Sequence, residues 1–208
     1  MISKTHNVII FSLFLVLSTI ILYFRLNPYY TIAYNTFIIV IGLYVNNIIN
    51  KYEKMISIDQ FTGVYNKKHF DNTLRVKNTN ETVYLLYIDV DNFSRINNDY
   101  GHEFGDKILL NIVETIRKNI RYDDDLFRVG GDEFAVLVKN KEEVIVYKTA
   151  ERIRKAIEFT DFIMNINITV SIGITKSDKH HDLTNLYKNA DAAMFISKKS
   201  GKNTISFS

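Results

Sequence analysis

The sequence has no cysteine among its 208 residues, so a disulfide framework and a thiolate metal site are both excluded. A strong excess of either charge is missing too. The 26 basic and 23 acidic residues leave a formal net charge of +3, too small to imply a nucleic-acid polymer as partner. Proline occurs once, at Pro28. Acidic residues are absent from the first 50 positions, where Lys4 and Arg25 are the only lysine and arginine. The rest of the chain holds 24 basic against 23 acidic residues. The bulk composition therefore averages two different objects.

The first object is apolar. VIIFSLFLVLSTIILYF (8–24) and YYTIAYNTFIIVIGLYVNNII (29–49) are uncharged runs of 17 and 21 residues, separated by RLNP (25–28). Against a hydrocarbon core of roughly 30 Å they predict a two-helix transmembrane hairpin within residues 1–54. A signal peptide is the rival reading of the first run. It lacks a small-x-small cleavage site and leads straight into a second apolar run. Lys4 before the hairpin, with Lys51 and Lys54 after it, places both termini in the cytoplasm, as in a multi-pass protein of the inner (cell) membrane. The four-residue turn leaves no room for an extracytoplasmic sensor domain. NTFIIVIGLYVNNIINKYEK (35–54) is expected to continue as a helix out of the bilayer.

The second object, 55–208, has the length of one ordinary domain. TVYLLYIDV (82–90) is a nearly unbroken apolar run and predicts a strand buried on both faces. Ile108, Ile112, Ile116 and Ile120 form one stripe and predict a helix over 105–120. Phe127 and Val129, two glycines, and then Phe134, Val136 and Val138 predict a hairpin. Val146, Ala150, Ile153 and Ile157 mark a second helix, and NITVSIGIT (167–175) another strand. A last helix is expected from about Leu183 to Lys199, capped by Asp182 and stopped by Gly201. The order β-α-β-β-α-β predicts an α+β fold, a split-βαβ (ferredoxin-like or palm-type) antiparallel sheet covered by helices.

The acids fall where such a sheet would gather them. Asp89 and Asp91 end the central strand, and the hairpin beside it carries Asp132 and Glu133. Clustered carboxylates repel one another unless a cation sits between them. With oxygen ligands alone the cation would be hard, Mg²⁺ or Mn²⁺. Gly130 and Gly131 let backbone approach a ligand closely. The bland alternative is a solvated hairpin tip, with Asp91 capping the following segment. In DVDNFSRINNDYGHEFGD (89–106), Asp89, Asn97 and Asp106 are placed to reach a nucleobase and its metal-bound phosphates. An Asn amide with a carboxylate complements the guanine edge, which offers acceptors beside N–H donors.

Four ordered blocks carry a family resemblance: DQFTGVYNKKHF (59–70), DVDNFSRINNDYGHEFGD (89–106), RVGGDEF (128–134) and ADAAMFISKKSGKN (190–203). Residues 57–205 resemble the GGDEF domain of diguanylate cyclases, which condense two GTP molecules into cyclic di-GMP. The resemblance implies that Asp89, Asp132, Glu133 and the main-chain carbonyl of Val90 hold two Mg²⁺ (or Mn²⁺) ions per active site. Asp132 or Glu133 would help to deprotonate the attacking 3′-hydroxyl. Asn97 and Asp106 would read guanine, and Lys198 and Lys202 would contact the triphosphate with backbone near Asn92 and Phe93. Gly130, Gly131 and His102 complete the implied substrate contacts, although His102 is equally a structural hydrogen-bonder. Both lysines near a helix C-terminus would be favourable there without any ligand. Three positions depart from the family pattern: Ser94 for lysine, Asn98 for aspartate and Lys202 for arginine. Lysine lacks arginine's bidentate fork, so these bear on efficiency.

RYDD (121–124) matches the family's R-x-x-D motif and implies a product-inhibition site at Arg121 and Asp124. One such domain holds one GTP, whereas the product joins two, so a homodimer with facing sites is expected and the membrane hairpin is its natural dimerising element. The expected partners are thus GTP, cyclic di-GMP, the lipid bilayer and a second copy of the chain. Two other readings stay open: a membrane-tethered cyclic di-GMP receptor with an idle centre, and a palm-type cyclase acting on a different base.

Overall fold

The computed structural model describes residues 14, 16, 18–20, 28–76, 82–139, 141–162, 166–177 and 184–208. Most of the first apolar run, Lys4, Arg25 and the expected Asp182 cap lie outside the described residues. Contacts divide the chain into two compact units, Met1–Ile56 and Ser57–Ser208.

In the first unit helix α1 (Pro28–Ile56) runs through the second apolar stretch and beyond it. Pro28 suits the first helical position, where its missing N–H costs nothing. Residues Pro28–Ile49 form a 22-residue apolar stretch of mean hydropathy 1.6. At 1.5 Å per residue this stretch is about 33 Å long, enough to cross a bilayer core. Two of the polar contacts made by this helix are hydrogen bonds of threonine hydroxyls. The Thr36 hydroxyl donates to the Ile32 carbonyl at 2.9 Å, and the Thr19 hydroxyl donates to Asn35 Oδ1 at 3.1 Å.

The second unit contains β1 (Tyr65–Asn66), α2 (Lys67–Val76), β2 (Val83–Val90), α3 (Phe93–Tyr100), α4 (His102–Lys118), β3 (Asp125–Arg128), β4 (Glu133–Lys139), α5 (Glu143–Glu158), β5 (Val170–Ser177), α6 (Thr184–Lys199) and β6 (Ile205–Phe207). Six strands form one sheet in the order β1-β3-β4-β2-β5-β6. The four central strands pair antiparallel, the expected split-βαβ pattern. β1 and β6 instead join the edges in parallel, so the sheet is mixed rather than antiparallel throughout.

All eight residues of β2 are buried, because helices cover both faces of the sheet. Tyr84, Leu86, Ile88 and Val90 face one layer with Ile108, Ile112 and Ile116 of α4 and Val146, Ala150 and Ile153 of α5. Val83, Leu85 and Tyr87 face the other with Phe70 of α2 and Leu186, Ala190 and Met194 of α6. By the strand's period of two, Asp89 falls on the α6 side. Gly173 is the register partner of Tyr87. A methyl group there would overlap the Ala190 carbonyl and the Met194 amide, so its absence lets α6 lie in backbone contact with β5. That seating brings the C-terminal turn of α6 over the end of β2.

Candidate active site

The end of β2 and the start of β4 are adjacent, with Asp89 opposite Glu133 in register. The Val90 amide donates to the Asp132 carbonyl at 3.2 Å, which fixes the hairpin tip against the strand. Val129 and Gly130 close the turn by donating to the Glu133 carbonyl at 2.9 and 3.3 Å. At Gly130 a Cβ would meet the Glu133 carboxylate, the far end of a flexible side chain that folds over it. Gly131 has nothing within 4 Å on its Cβ side, leaving its backbone open.

Arg128 clamps the tip. Its guanidinium donates to the Gly131 carbonyl at 2.7 and 3.2 Å and pairs with Asp59 at 3.3 Å. Asp59 also accepts from the Thr62 amide and hydroxyl at 2.8 and 2.6 Å. Burial raises the Asp59 carboxyl, but these donors and Arg128 outweigh it and hold the group below its usual range.

Asp89 is only 5% exposed. Burial, opposed by the Lys198 contact and reinforced by the charges of Asp132 and Glu133, pushes its carboxyl up to about 6. The Lys198 ammonium pairs with it at 2.7 Å. Among the described residues no three His, Asp or Glu side chains converge in metal-ligating geometry, because Glu133 turns toward Gly130 while Lys198 engages Asp89. The donor set itself suits a hard cation: carboxylates on adjacent strand ends, a nearby carbonyl at Val90 and no soft ligand. The cationic Lys198 already balances the buried negative charge there.

The guanine-reading candidates sit on the two helices that follow β2. Asn97 is in α3, and its Oδ1 is buried without a hydrogen-bond partner. An acceptor left in that state is costly and points to an absent donor. A side chain at Gly105 would overlap that oxygen, so Gly105 keeps the space around it open, next to Asp106. Asp106 and His102, in the first turns of α4, are exposed.

The phosphate candidates meet across a longer span of sequence. α3 starts at Asn92, a left-handed residue (φ 60°) with no side-chain cap. The first amides of α3 are therefore uncapped, a ready anion site. The Lys202 ammonium donates to Asn92 Oδ1. Arg121 and Asp124 lie apart, at the opposite end of β3 from the glycines. There the Asp124 carboxylate accepts from the Arg121 amide at 2.9 Å, and burial raises its carboxyl. Both border a cavity of about 530 Å³ whose wall includes Arg117, Tyr122 and Leu126.

In the bland alternative Asp91 caps the next segment. It does not cap α3. Its buried carboxylate accepts from the Thr169 and Ser171 hydroxyls, each at 2.7 Å, and from the Asn203 amide at 3.0 Å. Gly173 was also missed, although a lone glycine inside a strand signals close backbone approach.

A palm-like sheet, with acids at two adjacent strand ends and lysines beside an uncapped helix start, defines a domain of the GGDEF type. The chain belongs to that family: residues 56–204 match the family described as diguanylate cyclase, GGDEF domain. Among solved structures it is similar to the GGDEF domain of DgcB from Caulobacter crescentus in complex with c-di-GMP, with a TM-score of 0.68 and 26% identity over 73% of this chain and 95% of that one. The GGDEF domain of TpbB (YfiN) from Pseudomonas aeruginosa matches with a TM-score of 0.65 and 30% identity over 72% of this chain and 93% of that one. An uncharacterized membrane protein of Staphylococcus haemolyticus is 28% identical over 172 residues, 77% of this chain and 48% of that protein. The chain thus spans about half the length of the curated relatives it matches.

Proposed function

We propose that the chain is a membrane-anchored diguanylate cyclase, condensing two GTP into cyclic di-GMP and two pyrophosphates. The observation that carries this reading is Asp89 at the sheet end, register partner of Glu133 and ion-paired with Lys198, together with Lys202 at Asn92 and a buried Asn97 oxygen without a partner. Asn97 and Asp106 bind the guanine edge, the oxygen of Asn97 accepting from a guanine N–H. His102 is a further substrate contact. Lys198, Lys202 and the first amides of α3 at Asn92 and Phe93 hold the triphosphate. The lack of side chains at Gly130 and Gly131 lets the nucleotide approach the hairpin. Asp89, Asp132, Glu133 and the Val90 carbonyl would hold Mg²⁺ or Mn²⁺, two ions per site. Bound there, the metals supply activation of the 3′-hydroxyl and neutralisation of the phosphoryl charge. Asp132 or Glu133 accepts the 3′-hydroxyl proton.

Two bonds between two nucleotides need two such sites, so the active unit is a homodimer with facing domains. A two-helix membrane hairpin with cytoplasmic termini concentrates the copies in the bilayer. Arg121 and Asp124, with the cavity beside them, take cyclic di-GMP as inhibitor, Arg121 pairing with phosphate or guanine and Asp124 accepting from guanine N–H groups. The reading is tested by pyrophosphate release from GTP and ATP by the full chain. GTP turns over and ATP does not, and Asn97→Ala loses the preference. Equal turnover of both nucleotides would instead support a cyclase of different base choice.

A further inference from the structure

We infer that Asn203 is a positioning residue that sets Lys202 for the triphosphate, an inference that rests on the nucleotide site proposed above. After α6 the chain passes through three successive residues of positive φ: Gly201 (109°), Lys202 (64°) and Asn203 (47°). Glycine adopts this region freely, whereas a lysine there is uncommon and must be held by its surroundings. The Lys202 amide donates to the Ser197 carbonyl at 3.2 Å, and Asn203 anchors the loop from two further sides. Its amide donates to the buried Asp91 carboxylate at 3.0 Å, which ties the loop to the end of β2. Its side chain accepts from Arg154 at 2.7 Å and donates to Glu158 at 2.8 Å. Arg154 and Glu158 are themselves paired at 2.9 Å, so the three side chains close a ring on α5.

Neither arm touches the nucleotide site, yet together they fix the peptide that carries Lys202. The outcome is the Lys202 ammonium at Asn92, the left-handed residue that opens α3. Side-chain length alone would let Lys202 sample a wide arc of solvent. The Asn203 anchor confines its origin, so the ammonium and the first amides of α3, which have no side-chain cap, form one anion site. The same clamp explains why lysine can stand in place of an arginine fork: the backbone supplies the orientation that the planar group would otherwise give.

The test uses the full chain in detergent with Mg²⁺, and compares binding of the α,β-methylene analogue of GTP with binding of GMP. Asn203→Gly tolerates the left-handed backbone but removes the ring with Arg154 and Glu158. It is expected to weaken binding of the triphosphate analogue about tenfold, the loss of one charge-assisted contact. GMP binding should be unchanged. In a Lys202→Ala background the same substitution should cost nothing further, since both act through one contact. Arg154→Lys, which keeps the charge and loses the fork, should give a smaller loss with the same selectivity. Equal weakening of both ligands, no weakening, or additive losses with Lys202→Ala would each overturn the inference. If the parent protein binds the triphosphate analogue no better than GMP, the nucleotide-site reading itself fails and the inference falls with it.

Discussion

Replacing Asp89 by asparagine should remove the pH dependence of stability that this one carboxyl imposes. The folded group titrates near 6, against an ordinary value of 3.8. A shift of about two units corresponds to about 3 kcal/mol. The raised value means the native state is favoured while the group is protonated. That stabilisation is complete below pH ~4 and is lost as pH rises through ~6. A side-chain amide cannot ionise, so the variant escapes the loss. The assay is urea unfolding of the full chain in detergent, followed by tyrosine fluorescence, with divalent ions removed by chelator. Between pH ~4 and ~7 the stability difference should move in favour of Asp89→Asn by about 3 kcal/mol. Millimolar Mn²⁺ at neutral pH should then recover stability in the parent alone, by about 2.7 kcal/mol at a hundredfold excess over the dissociation constant. A stability difference that stays flat with pH would show that Asp89 behaves as a solvated carboxylate. Equal stabilisation of parent and variant by Mn²⁺ would remove it from the cation site.

Gly173→Ala forces a methyl into the backbone of α6, so it should destabilise by about 1–3 kcal/mol and lower turnover by moving Lys198 off Asp89; unfolding midpoints and initial rates read both. Arg128→Met removes the clamp on the Gly131 carbonyl and should lower kcat more than it raises KM, which steady-state kinetics would separate. Lys202→Arg should leave kcat/KM for GTP within about twofold, because the clamped loop already orients the cation, whereas a severalfold rise would show that the lysine lacks the orientation a fork supplies. Arg121→Ala should leave initial rates intact and abolish slowing by added cyclic di-GMP in progress curves.

Periodicity made the centre of the fold legible. The buried run 82–90 could only be a strand covered on both faces, and the isoleucine stripe of α4 and the Val146–Ile157 stripe of α5 named the helices that cover one of them. The acids at strand ends followed from that order of elements. The edge strands did not, since β1 has two residues and β6 three, too few to show alternation. α3 also escaped notice: its helix opens on a left-handed asparagine with no side-chain cap, and the usual N-terminal signal is absent. The contacts that shape the site were the least legible. Lys198 reaches Asp89 because Gly173 lets α6 settle onto β5, and Asp91 binds Asn203 across 112 positions. Spacing along a chain carries no trace of such pairings until the sheet has brought the segments together.

The central claim is tested most directly by incubating the full chain, in detergent or nanodiscs, with GTP and Mg²⁺ and identifying the products by mass spectrometry beside an Asp132→Ala control. The account predicts cyclic di-GMP and pyrophosphate from the parent and neither from the variant. A dimeric sample that binds cyclic di-GMP but forms none of it would contradict the account and leave a receptor in place of an enzyme.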